Sequence, residues 1–351
     1  MALFIFGAGA TRGSSFVNPS RYPCLPPLDS DFFTQLQKVQ NPKHQPLIKR
    51  VMEDVVDLFG PNFDVTMETV FATLEHTIRM LETTGENRAF KRRELVDRRN
   101  RLVQSIAVVL EGSLCRENET GRSSQTPRSC KHHNKFVKDI LQPGDDLITF
   151  NYDCTLDRAL FECGNRKWNP RYGYGFTLGA RGRLLSGDEF WSPERPATRR
   201  KTAHLYKLHG SLHFLVSQPN GDMRVKLKQR PYTKQMGNLK FTIIPPESQK
   251  AYDKGVFAKL WKEAAVAMRE ARHIVVIGYS LPHSDLHSTA LFRTAIREDR
   301  LQSLVVVNPD RGARRRIRSI LQRGLSRSSR VLSFDYLQEF VATPRRTWEV
   351  A

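Results

Sequence analysis

The spacing of apolar residues changes several times along the chain, and each change marks an element. Ala2 to Phe6 is an apolar run without alternation that stops at Gly7, the pattern of a short strand buried on both faces. A segment with four prolines, NPSRYPCLPPLDSDFF, follows and is incompatible with regular structure. Asp29 or Ser30 then stands where it can cap a helix beginning near Asp31, with Phe32, Phe33 and Leu36 facing inward. Three- and four-residue steps dominate from there. They predict helices over Pro46 to Phe59, Thr66 to Glu82 and Phe90 to Gly112, so residues 31–141 read as an inserted helical subdomain. Residues 113–132 are polar and are expected to form a mobile loop.

Strand patterns return at Asp146 to Phe150, Leu205 to Leu208, Leu212 to Val216, Asp222 to Lys228 and Lys240 to Ile244. An amphipathic helix over Gly255 to Arg272 leads into the buried run IVVIG. SLVVVN, a further helix and a last short strand at Val331 to Phe334 complete the series. Strands alternating with helices at this spacing predict an α/β fold: a Rossmann-like, doubly wound parallel sheet in a single domain over 1–351, without internal repeats.

Composition changes this picture in three ways. At 351 residues and 39% hydrophobic content there is ample material for a core, and no apolar run approaches the roughly 20 residues of a membrane span. The opening apolar run is too short for a signal peptide and lacks a basic leader, so a cytoplasmic location without membrane contact is expected. The five cysteines, Cys24, Cys115, Cys130, Cys154 and Cys163, are scattered and odd in number, which fits reduced thiols. Cys130 lies near His132 and His133, but no second pair stands at ligand spacing and no metal is expected. The net charge of +20 points to phosphate-bearing partners, a dinucleotide or a nucleic acid. Much of it sits in RAFKRRELVDRRNR at 88–101 and in RGARRRIRSILQRGLSRSSR at 311–330, read as a basic helix near the C-terminus. There Ile317, Ile320 and Leu321 recur at helical spacing, so the arginines can equally be the solvated face of a packed helix.

A doubly wound sheet collects its ligand at the carboxyl ends of its strands. Five predicted strand ends carry distinctive residues: GAGAT at 7–11, TFNYD at 149–153, KLHGS at 207–211, GYS at 278–280 followed by LP and an acidic residue, and VVVNPD ending near Asn308. The glycine turn permits close backbone approach, as in dinucleotide sites, although the third glycine of G-x-G-x-x-G is absent. Each asparagine or histidine alone is more often a turn or capping residue than a catalyst. Their recurrence at successive strand ends makes a ligand site the better reading.

This order of motifs resembles the sirtuin-like NAD-binding family, in particular its bacterial branch that degrades NAD in antiphage defence. In that pattern Thr11 stands where a serine is usual and Phe150 replaces a glutamine, whereas Asn151, Asp153, His209, Gly210, Gly278 and Ser280 match. Departures also stand out. There is no CxxC pair for the structural zinc ribbon of the deacylases, 58 positions separate Asn151 from His209, and RYGYGF is inserted between them.

The resemblance implies an NAD hydrolase that releases nicotinamide and ADP-ribose, with NAD as substrate and no metal. Asn151 would position water or a ribose hydroxyl and His209 would accept a proton, its ordinary pKa lying near working pH. Asp153 would hold the nicotinamide carboxamide, or else cap a helix starting at Thr155. Gly7, Ala8, Gly9, Ala10 and Thr11 would cradle the pyrophosphate, with Gly278, Ser280 and Asn308 toward the adenosine half. It further implies gating by homo-oligomerisation or by a partner ATPase or sensor protein. A non-catalytic NAD or ADP-ribose sensor, associated with nucleic acid through the basic segments, is the alternative; a protein deacylase is disfavoured without zinc ligands.

Overall fold

The computed structural model describes residues 1–83, 89–117, 123–170, 173–176, 202–217, 224–227, 241–243, 255–282, 285–343 and 346–349. Its centre is a six-stranded sheet built from β1 (Ala2–Phe6), β4 (Asp146–Thr149), β5 (His204–Lys207), β9 (His273–Ile277), β10 (Leu301–Val307) and β11 (Leu325–Phe334). The order is β11-β10-β9-β1-β4-β5, and every pairing is parallel. Parallel strands covered on both faces need continuous apolar runs, which is why ALFIF and HIVVI are buried at every position. The chain starts in the middle of the sheet, adds β4 and β5 on one side, then returns to add β9, β10 and β11 on the other. The order therefore reverses beside β1, and such a reversal opens a crevice at the strands' carboxyl ends.

Helices α1 (Ala8–Arg12), α7 (Thr155–Cys163), α8 (Gly255–Glu270), α9 (Leu286–Ala295), α10 (Arg311–Leu321) and α11 (Leu337–Ala342) connect or follow these strands. A smaller antiparallel sheet joins β6 (Gly210–Ser217) to β7 (Arg224–Leu227) and β8 (Phe241–Ile243). Positions 222, 223, 228, 240 and 244, assigned to the same strands from sequence, lie outside the described residues.

Helices α2 (Phe32–Gln37), α3 (Gln45–Phe59), α4 (Met67–Thr83) and α5 (Ala89–Leu114) close around a second core that includes Phe32, Leu36, Val51, Phe71, Leu74, Ile106 and Val109. Three departures from the sequence reading have physical causes. Residues 113–132 are not a plain loop: β2 (Cys115–Glu117) pairs antiparallel with β3 (Ser123–Pro127), positions 118–122 between them lying outside the described residues. The segment is anchored by buried Cys115 and Cys130 and by Arg128, whose guanidinium lies 3.8 Å from the Tyr22 ring centre, a cation–π contact that composition does not reveal. Helix α6 (Lys131–Lys135) and the π-turn Phe136–Ile140 then pack on the sheet core rather than on the helical one. Last, the basic segment 311–330 is not one helix. It divides into α10, a 3-10 turn Gln322–Gly324 and the first half of β11, which runs six residues further toward the N-terminus than Val331.

The basic stretch at 88–101 is largely consumed inside the helical unit. Arg101 grips the buried Asp54 through two hydrogen bonds of 2.6 and 2.8 Å, Arg98 reaches Asp57 and Glu94, Arg99 pairs with Glu75 and Arg92 with Glu82. Among the described residues, no helix is long and apolar enough to cross a membrane.

Candidate active site

A cavity of about 750 Å³ opens at the carboxyl edge of the sheet, where the order reverses. Its floor comes from strand ends: residues 8–11 after β1, Asn151 to Asp153 after β4, His209 after β5, Gly278 to Ser280 after β9, Asn308 after β10 and Asp335 and Tyr336 after β11. The opposite wall belongs to the helical unit, with Leu28, Asp29, Met67, Glu68, Ile106 and Leu110. All eleven residues singled out from sequence come to this edge, and ten of them line the cavity; Gly7 sits immediately beneath.

The glycine turn has a structural task in addition to the one expected of it. Gly7 is the N-cap of α1, its N–H donates to Ile277 O at 3.0 Å, and Gly9 N–H donates to Gly278 O at 2.8 Å. A Cβ on Gly7 would stand 2.6 Å from Tyr279 Cα, and one on Gly9 would stand 2.8 Å from Gly278 O. Gly278, at φ +62°, leaves no room for a Cβ against Ala10. The close approach that demands glycine is thus between two protein backbones, β1–α1 against the end of β9. With Gly9 N–H given to Gly278 O and Ala10 N–H to Gly7 O, these two amides are already engaged.

Above the turn lies a directional hydrogen-bond chain. Asn151 Nδ2 donates to Gly7 O at 3.0 Å and to Thr11 Oγ1 at 3.1 Å; the Thr11 hydroxyl donates to Asp153 Oδ2 at 2.8 Å; Asp153 Oδ1 accepts the Thr155 N–H at 2.8 Å. Because Gly7 O can only accept, the amide nitrogen is the end of Asn151 that faces it, which leaves Oδ1 as the end directed elsewhere. Asp153 is 6% exposed and does two jobs at once, supporting the start of α7 and lining the cavity.

His209 is buried among the rings of Phe150, Tyr152 and Trp261, with centroids 5.0, 6.4 and 6.4 Å away. Burial pushes its pKa down, Asp285 opposes that, and His287 adds to it, so the ring is neutral at working pH and able to accept a proton. Its Nε2 has no hydrogen-bond partner, and Asp285 Oδ2 lies 3.5 Å away. Asp285 itself caps α9 and is fixed by Tyr279 and Ser288.

At the far end, Asn308 Nδ2 donates to Tyr279 O at 3.1 Å and its Oδ1 accepts Asp310 N–H at 3.0 Å. The Ser280 carbonyl accepts two bonds from Arg316, at 3.2 and 3.1 Å. Arg314 donates to Asn308 O, to Phe334 O and to Asp335. Arg316 and Asp285 escaped sequence reasoning, the first because it sits in a run of arginines. The second was visible only as an acidic residue after GYS-LP, where its capping geometry is the usable signal.

Beneath Asp153 a second buried cluster ties the ends of β4 and β5 together. Lys207 Nζ donates to Asp153 O at 2.6 Å and to Asp157 Oδ2 at 2.8 Å, Tyr174 OH donates to Asp157 Oδ1 at 3.0 Å, and Cys154 Sγ lies 2.7 Å from His213 Nδ1. Cys154, Asp157 and His213 bring one potential metal-ligand atom each within 4.8 Å of the others, an arrangement that cysteine spacing did not predict. The Lys207 ammonium already supplies a cation to Asp157.

In a comparison with known protein families, the family model described as SIR2-like domain matches residues 145–326, just over half of the chain, from the entry to β4 through the start of β11. No curated protein matches the chain.

Proposed function

Since the chain belongs to the SIR2-like domain family, which implies NAD-related activity, we propose that it is an NAD hydrolase cleaving the nicotinamide–ribose bond. The observation that carries this is the convergence of Asn151, Asp153 and His209, from separate strand ends, on one cavity at the switch point of the parallel sheet. A cavity of about 750 Å³ is within the usual range for cofactor-sized ligands, and a neutral, buried histidine on its wall is an acid–base group in waiting.

NAD supplies a leaving group that is already cationic, so its departure needs no general acid. The protein's part is orientation and proton acceptance. The Asn151 amide, held by Gly7 and Thr11, presents its oxygen to water or a ribose hydroxyl. His209 takes the proton lost when water adds to the ribose carbon; the bond electrons leave with nicotinamide, and ADP-ribose is the other product. Asp153, acceptor-only and fixed by two donors, retains lone pairs for the carboxamide N–H groups. For the phosphates, Arg316 offers a fixed cation, which compensates for the engaged amides of Gly9 and Ala10.

A second reading, a binder of NAD or ADP-ribose without turnover, draws on the structural duties of Asn151 and Asn308, whose amides hold backbone in place. The deacylase reading lacks zinc-ribbon cysteines in support. The wider role, a regulated effector in bacterial antiphage defence that is gated by self-assembly or by a partner ATPase, rests on the order of motifs alone. Release of nicotinamide from NAD by the purified chain, alone and with the products of neighbouring genes, separates turnover from binding.

A further inference from the structure

We propose that Asp285 is the positioning residue of His209, holding the neutral imidazole with its proton on Nε2 and making Nδ1 the atom that accepts a proton. For what His209 takes its proton from, this rests on the NAD-cleavage reading; which nitrogen carries the ring proton is independent of it.

The carboxylate has little freedom. Oδ2 accepts the Tyr279 hydroxyl at 2.7 Å and the Ser288 hydroxyl at 2.6 Å, and Oδ1 accepts the Ser288 N–H at 3.0 Å. These donors hold Oδ2 at 3.5 Å from His209 Nε2, with both side chains no more than 5% exposed. The imidazole is confined as well, by Phe150, Tyr152 and Trp261 around it. A carboxylate is acceptor-only, so an Nε2 lone pair turned toward it would be repelled, whereas an Nε2–H is attracted. In a water-poor wall that difference is larger than in solvent and selects one tautomer.

The same pair favours the protonated ring. When Nδ1 takes a proton, the imidazolium finds an anion already in place, and a hydrogen bond that is long before ligand entry can tighten in the reacting complex. The charged and titratable groups facing His209 from α9 are Asp285, which favours its cationic form, and His287, which disfavours it; the Tyr279 phenol, bonded to Asp285, is pushed up by burial and by that carboxylate and stays neutral. Asp285 is thus the group that offsets the burial of the ring.

The test uses the full chain labelled with ¹⁵N-histidine, as parent, Asp285→Asn and Asp285→Ala, with His209→Ala for assignment. Asparagine keeps an acceptor for the α9 cap and loses the charge, so a merely structural role leaves that variant like the parent. The expected result is an Nε2–H tautomer at His209 in the parent and a mixed population in Asp285→Ala. In turnover, kcat is expected to fall at least tenfold in both variants with KM within about twofold, and the acid limb of the Asp285→Asn profile to move to lower pH. An Nδ1–H tautomer in the parent, or the parent's tautomer retained in Asp285→Ala, overturns the proposal. If the parent does not cleave NAD, the activity reading falls while the tautomer measurement still decides this one.

Discussion

Gly9 donates its N–H to the carbonyl of Gly278 at 2.8 Å, and the two backbones meet where neither residue has space for a side chain. Gly278 also holds φ +62°, a conformation strained for any L residue. Gly278→Ala and Gly9→Val are therefore expected to lower stability by roughly 1–3 kcal/mol, through backbone strain and displacement of β9 from α1. Thermal melts check this. Variants that melt like the parent while losing only NAD affinity would show that the glycines serve the ligand directly.

Much of this arrangement was legible in advance. Continuous apolar runs such as ALFIF and HIVVI specify strands buried on both faces, and the residues at their carboxyl ends identify the crevice. What the glycines approach was not legible, because Gly7 and Gly9 are separated from Gly278 by most of the chain and only the sheet order brings them together. The same holds for Asp285, which lies 76 positions from the histidine it faces, and for Arg314 and Arg316, which local charge places on a solvated helix face while strand-end carbonyls draw them inward. Residues 113–132 misled because their anchors, Arg128 on Tyr22 among them, are tertiary.

Asn151→Ala removes two hydrogen bonds, each contributing about 1 kcal/mol, from the brace between β4 and the glycine turn. A modest fall in melting temperature is expected with a much larger loss of activity. Asn151→Asp is expected to be the less stable variant, because a carboxylate would face the Gly7 carbonyl with nothing to donate. Melting temperatures in the opposite order would contradict the amide orientation described here.

Lys207 and Asp157 form a fully buried pair, and breaking it on one side leaves an uncompensated charge. Burial opposes both ions, but their mutual attraction together with the surrounding charges and hydrogen bonds outweighs it, so the Lys207 pKa is raised and the Asp157 pKa lowered. Lys207→Met is expected to cost about 3–5 kcal/mol, and adding Asp157→Leu to recover much of it. The depressed Asp157 contributes stability in full above its unfolded value of 3.8, and the contribution is lost as pH falls through the folded value. The raised Lys207 contributes in full below 10.5 and loses it as pH rises through the folded value. Chemical denaturation of the parent should show this contribution in full from about pH 5 to 9 and falling beyond both ends, while the parent-minus-Lys207→Met difference narrows as pH falls and the stranded Asp157 takes up a proton.

Eight arginines lie between 311 and 330, but Arg314 and Arg316 hold strand ends and are unsuitable probes of phosphate binding. Arg311, Arg315 and Arg318 are exposed on successive turns of α10. Changing these three to glutamine is expected to leave the melt within about 1 °C per variant site and to reduce the salt slope of nucleic-acid binding by roughly one unit for each phosphate that no longer meets an arginine. Absence of binding by the parent to duplex or single strand at low salt removes nucleic acid as a partner of this face.

The most direct measurement is chromatographic detection of nicotinamide released from NAD by the parent, Asn151→Ala and His209→Ala proteins, with NAD binding followed by calorimetry. The parent is expected to release nicotinamide, alone or with an activating partner, and each variant to do so at a rate at least roughly a hundredfold lower, with binding largely retained. Full hydrolysis by His209→Ala under the conditions where the parent is active contradicts it.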